Sequence, residues 1–124
     1  MIPRPSKKEL FGKLRDARSA LLAGNVFLID QGAIAEDAIE LGYDIGDEFY
    51  KVLQELLDAA SPADYVGGRP PQRAYKPDIE GLELFAFAVE SARFGCRVYL
   101  KFAIAERLLW VVSLHADRPE KESS

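Results

Sequence analysis

From Ser6 onward, apolar side chains recur every three or four residues at Leu10, Phe11, Leu14, Ala17, Ala20, Leu21 and Leu22, with Lys, Arg and Asp between them. That spacing predicts an amphipathic helix capped by Ser6 and stopped at Gly24-Asn25. Val26-Phe27-Leu28-Ile29 is too short for a helix and reads as a brief strand or an extended connector. The helical period returns over Ala33–Leu41, ending at Gly42, and again after Asp44. There Ile45, Phe49, Val52, Leu53, Leu56 and Leu57 form a continuous apolar stripe, with Asp44 as cap and Asp47 and Glu48 complementing the helix dipole.

The period then changes from 3.6 to 2. Glu83–Ser91 places Phe85, Phe87 and Val89 on one face and Leu84, Ala86, Ala88 and Glu90 on the other. Cys96–Ile104 puts Val98, Leu100, Phe102 and Ile104 on one face and Arg97, Tyr99 and Lys101 on the other. A short connection, Ala105-Glu106-Arg107, leads into Leu108–His115, which makes the last two strands an antiparallel hairpin. Leu108–Leu114 is apolar on both faces, as expected of a central strand covered on each side. Helices first and an antiparallel meander afterwards predict an α+β domain, its N-terminal helices packed on a mainly antiparallel C-terminal sheet.

Between the third helix and the first of these strands, Ser61–Gly81 carries Pro62, Gly67, Gly68, Pro70, Pro71, Pro77 and Gly81, which excludes a long helix or a central strand. A connection of this length is unusual inside a compact domain. It holds Tyr65, Arg69, Arg73, Tyr75 and Lys76. Cations interleaved with aromatics suit single-stranded RNA, since guanidinium and ammonium groups meet phosphates while rings stack on unpaired bases. The same residue types also compose an ordinary solvated connector.

Composition narrows the picture. A chain of 124 residues with 48% apolar and 29% charged side chains is expected to form one globular domain, 1–124, with residues 1–5 and 116–124 as flexible tails. No apolar run approaches the roughly 20 residues that span a bilayer, and the first residues lack the apolar core of a signal peptide, so a cytoplasmic protein without membrane association is expected. One cysteine, Cys96, and one histidine, His115, exclude an internal disulfide and a standard zinc site, so neither metal nor cofactor is expected. The net charge of −4 argues against a general nucleic-acid binder. However, residues 1–68 hold 7 basic and 12 acidic side chains whereas residues 69–124 hold 9 and 8, which leaves room for a cationic patch in the C-terminal half.

Phosphate-cradling loops, nucleophile elbows and dinucleotide fingerprints are absent from the sequence. Catalysis would have to come from Tyr99, Lys101 and Arg97 on one strand face, with His115 near them. RNA cleavage needs a base for the 2′-OH, cations for the charge developing on phosphorus and an acid for the leaving oxygen. Arg97 and Lys101 could stabilise the charge, and His115 is the natural acid or base near neutral pH. Tyr99 could orient the 2′-OH, or act as a base if the neighbouring cations lower its pKa. His115 has odd parity in its strand together with Ser113, Val111 and Leu109, so its side of the sheet depends on register.

Val98-Tyr99-Leu100-Lys101, followed by Val111-Val112-Ser113-Leu114-His115, resembles the C-terminal hairpin of MqsR-type toxins, small messenger-RNA interferases with a RelE-like fold from type II toxin-antitoxin pairs. Glu40-Leu41-Gly42-Tyr43-Asp44 and Ser61-Pro62-Ala63-Asp64-Tyr65 are similar to two further segments of that family, in the same order. The resemblance implies a RelE-like α+β fold, metal-independent endoribonuclease activity on RNA and control by a cognate antitoxin. It places Tyr99 on the family's active-site tyrosine and His115 where the family has a lysine. Val66 replaces the loop lysine that follows Tyr65, unless Arg69 or Arg73 reaches back to supply the charge. Leu84-Phe85-Ala86-Phe87-Ala88 replaces a strand whose glutamine has no equivalent here. The resulting expectation is a catalytic group of Tyr99, His115 and Lys101, with Arg69, Arg73, Tyr75, Lys76 and Arg97 as RNA contacts. The alternative is a non-catalytic protein- or RNA-binding module on the same scaffold.

Overall fold

The structure is a computed structural model, and residues 3–117 are described. Three α-helices, α1 (Lys7–Leu22), α2 (Gln31–Leu41) and α3 (Ile45–Ala59), and four strands, β1 (Val26–Leu28), β2 (Phe85–Ser91), β3 (Cys96–Ala105) and β4 (Leu108–Ala116), form an α+β fold. Side chains cap each helix as residue type dictates: Ser6 accepts from the Glu9 N–H, Asp30 from Ala33, and Asp44 from Gly46 and Asp47. α2 therefore begins at Gln31, earlier than the apolar period alone indicates. The sheet has the order β1-β4-β3-β2. Its three long strands are antiparallel neighbours, and the short β1 joins β4 in parallel.

All three helices contribute to one core against one face of the sheet. That face presents Phe85, Phe87 and Val89 from β2, Val98, Leu100 and Phe102 from β3, and Leu109, Val111 and Leu114 from β4, each at most 1% exposed. Phe87 and Phe102 stack across the strands at 5.8 Å. Each such ring withdrawn from water contributes about 2–3 kcal/mol, which makes this face the main source of stability. Phe11 and Leu22, although in phase with the stripe of α1, lie outside the core at 56% and 78% exposure.

The opposite face of the sheet is divided. The segment between α3 and β2, expected as an open connector, crosses one end of it and buries Ala74 and Ile79 against Ala103, flanked by Trp110, Val112 and Leu84. Its path is tied by backbone hydrogen bonds from Ala74 N to Leu82 O (2.8 Å), Leu84 N to Gln72 O (2.7 Å) and Val66 N to Ala86 O (2.9 Å). Two 3₁₀ turns, Pro62–Asp64 and Pro77–Ile79, use its prolines at their first positions. Among the described residues, the other end of the same face stays open.

Of the segments expected as tails, residues 1, 2 and 118–124 lie outside the described residues. Ala116 completes β4 opposite Val98, and Arg4 forms ion pairs with Glu9 and Glu83. No helix among the described residues is long and apolar enough to cross a membrane.

Candidate functional site

The open end of the second face carries the polar side chains of β3 and β4, and their placement follows from pairing. Alternation in β3 buries Val98, Leu100 and Phe102 and turns Arg97, Tyr99 and Lys101 the other way. In a regular β4, His115 would share the core side with Leu109 and Val111. Instead the register shifts at Lys101/Phe102: Phe102 pairs with Val111 and Lys101 with Ser113, which leaves Val112 as an extra residue. This β-bulge reverses the phase of the strand. Leu114 enters the core in place of Ser113, and Ser113 and His115 join Lys101 and Tyr99.

Tyr99 and His115 are direct cross-strand partners, with rings stacked at a centroid distance of 5.0 Å and an interplanar angle of 20°. Lys101 lies two residues along from Tyr99 on the same side, opposite Ser113 on β4 and Ala86 on β2. Ala88 is the neighbour of Tyr99 on β2, so nothing bulky rises beside the ring on that strand. The imidazole Nδ1 lies 2.7 Å from the Ala116 carbonyl oxygen. A carbonyl can only accept, so Nδ1 carries the proton and the second nitrogen, Nε2, bears the lone pair of the neutral ring.

The phenol of Tyr99 is pushed above its ordinary value, first by burial and then by the Asp117 carboxylate. The condition under which Tyr99 would act as a base, a pKa lowered by neighbouring cations, is therefore not met, since the shift runs the other way. Arg97 faces Asp117 at 3.8 Å, and Lys101 does not offset the desolvation of the ring. Tyr99 is thus held in its protonated form, able to donate a hydrogen bond. Asp117, assigned to a tail by its polar surroundings, was missed; continued alternation beyond His115 is the signal that would have found it.

The other expected RNA contacts are spread over the molecule. Arg69 donates to the Pro5 carbonyl at 3.1 Å and lies over the Tyr65 ring at 5.0 Å. That ring is not available for stacking on a base: Tyr65 is 7% exposed, packs against Phe85 and Phe87, and donates its hydroxyl to the Gly68 carbonyl. Arg73 donates to the Gly81 carbonyl at 2.8 Å. Tyr75 and Lys76 are exposed on the segment that covers the Ala103 end of the second face. Thus Tyr99, His115, Lys101 and Arg97 come together, Tyr75 and Lys76 flank the other end of the same face, and Arg69 stands at the N-terminal edge of α1. Phe27 and Trp110 stack at 4.9 Å, an aromatic pair that the strand pattern did not single out. Neither the protein-family models nor the curated proteins contain a match to this chain.

Proposed function

We propose that the chain is a toxin-like, metal-independent endoribonuclease that cleaves messenger RNA in the cytoplasm and is held in check by a cognate antitoxin. The observation that carries this reading is the stacked Tyr99–His115 pair with Lys101 on the same strand face. The resemblance of the Val98–Lys101 hairpin to MqsR-type toxins supports it. In this reading His115 Nε2 removes the proton of a 2′-OH as its oxygen attacks the adjacent phosphorus. The Lys101 ammonium balances the charge that develops on the non-bridging oxygens. The bond from phosphorus to the 5′-oxygen then breaks, and the Tyr99 hydroxyl gives that oxygen its proton. A phenol, even one pushed upward by burial, is far more acidic than the alcohol it protonates. The products carry a 2′,3′-cyclic phosphate and a 5′-hydroxyl.

A second reading, a face that binds RNA without cutting it, is favoured by one feature: the Arg97–Asp117 pair reduces the positive charge free to act at the site. Incubation of the purified protein with messenger RNA in EDTA separates the two. Fragments ending in cyclic phosphate, formed by the wild type and lost in both Tyr99→Phe and His115→Ala, support cleavage. Gel-shift binding without fragments supports the second reading. Fragments unchanged in both variants refute the site assignment.

A further inference from the structure

We infer that the free edge of β1 is a docking site for an extended, basic segment of a partner protein. Among the described residues β1 pairs only with β4, so its other side is an open sheet edge. The direction of its backbone groups follows from the ladder. Leu109 N–H donates to Asn25 O and Ile29 N–H to Val111 O, which assigns Asn25, Phe27 and Ile29 to the β4 side. In a parallel ladder alternate residues serve opposite neighbours, so Val26 and Leu28 turn their N–H and C=O groups outward. A groove of about 360 Å³ runs along that edge between β1 and the first half of α3, lined by Val26, Leu28, Ile45, Asp47, Phe49 and Tyr50. Tyr50 is 49% exposed at its rim. An added strand could thus pair its backbone with β1 and set alternate apolar side chains into the groove, as in strand-addition recognition. β1 carries neither a proline nor a charge, devices by which natural proteins protect such edges.

The charge around the groove selects the occupant. Between Ser19 and Tyr50, a stretch that includes β1 and the groove-lining start of α3, the chain contains Asp30, Glu36, Asp37, Glu40, Asp44, Asp47 and Glu48 and no lysine or arginine; of these acids Asp47 lines the groove, and Glu48 is paired with Arg93. Asp47 stands exposed on the groove side of α3, in its first turn. Edge-to-edge pairing of two copies would bring two such acidic segments together, and RNA phosphates would be repelled by them. A segment alternating apolar and basic residues satisfies the edge, the groove and the Asp47 carboxylate at once.

The probe is a labelled seven-residue peptide alternating valine and lysine, compared with its valine–glutamate counterpart and with two lysine peptides N-methylated at every second residue, one in each register. Fluorescence anisotropy is expected to show the lysine peptide binding at least about tenfold tighter than the glutamate one at low salt. Asp47→Lys, with its helix content verified by circular dichroism, is expected to weaken binding about fivefold, a surface charge contact reversed. Amide shifts in NMR should centre on Val26 and Leu28 rather than on Tyr99 and His115. Equal binding of the N-methylated peptides in both methylation registers, indifference to Asp47→Lys, no binding at millimolar peptide, or self-association of the free protein in sedimentation would each overturn the proposal.

Discussion

Deleting Val112 tests the argument that decides the composition of the site. Removing one residue from a strand ordinarily turns every later side chain to the opposite face. Here Val111 already pairs with Phe102 and Ser113 with Lys101, so Val112 is the residue in excess and its deletion leaves a regular ladder with the same partners. Were the later residues to flip instead, Leu114, fully buried, would be exposed at a cost of about 2 kcal/mol. His115 would enter the core at a further cost of about 1–3 kcal/mol for an unsatisfied polar group. Such a loss is a large part of the roughly 5–15 kcal/mol that a domain possesses. The expected result is milder: only the partly buried Val112 side chain is lost, about 1 kcal/mol. Urea unfolding measures the difference, and ring-to-ring NOEs between Tyr99 and His115 report whether the pair survives. A destabilisation above about 3 kcal/mol, or loss of those NOEs in a folded protein, would refute the bulge as the cause of His115's placement.

Three further outcomes follow from particular contacts. Tyr43 is 6% exposed with its hydroxyl unpartnered among the described residues, so Tyr43→Phe should raise stability by about 1 kcal/mol in urea or thermal unfolding. Burial, with Asp37 nearby, pushes that phenol from 10.0 up to about 12; the protonated form is the one favoured by folding, so its contribution is complete below pH 10 and lost as pH rises towards 12. The Phe variant should show a shallower loss of stability across that window, although Tyr65 and Tyr99, also raised, keep part of it. Gly67→Ala should destabilise by about 1–3 kcal/mol, because a Cβ there would come within 2.7 Å of the Tyr65 hydroxyl that packs over it; an unchanged melting temperature would show that the ring moves freely. The Glu106-Arg107 turn holds both residues at positive φ (52° and 69°), so replacing it with Asn-Gly should stabilise by about 1 kcal/mol in the same unfolding assays.

The helices were legible because each has a residue that starts it and a period that repeats: Ser6 and Asp44 cap α1 and α3, and the apolar stripe of α3 is the one buried. The antiparallel hairpin and the central position of β4 were legible for the same reason, since strict alternation in β3 and two apolar faces in β4 each have one consistent placement. The side on which His115 lies was not. Leu108–Val112 is apolar at every position, so alternation carries no phase there, and the bulge that sets it arises from pairing with a distant segment. Tyr65 was misread for a related reason. Its ring is drawn into the core by Phe85 and Phe87, twenty and more residues away, and only the close approach at Gly67 betrays the reversal locally.

What remains open on this sheet is determined by where the connecting chain runs. The segment after α3 lies along the outer side of β2 through the Tyr65–Phe87 bridge and then crosses the second face at Ala103. It thereby blocks one edge and one half of one face, while the helices cover the whole of the other. Among the described residues two surfaces stay uncovered: the half-face with Tyr99, Lys101, Ser113 and His115, and the edge of β1. They differ in chemistry. The first has two aromatic rings, a lysine and an arginine engaged by Asp117, and the second has unpaired backbone groups beside the Asp47 carboxylate. A polyanion and a basic strand would therefore address different parts of the molecule, and a partner seated on the β1 edge would not have to displace RNA from the Tyr99–His115 pair in order to bind.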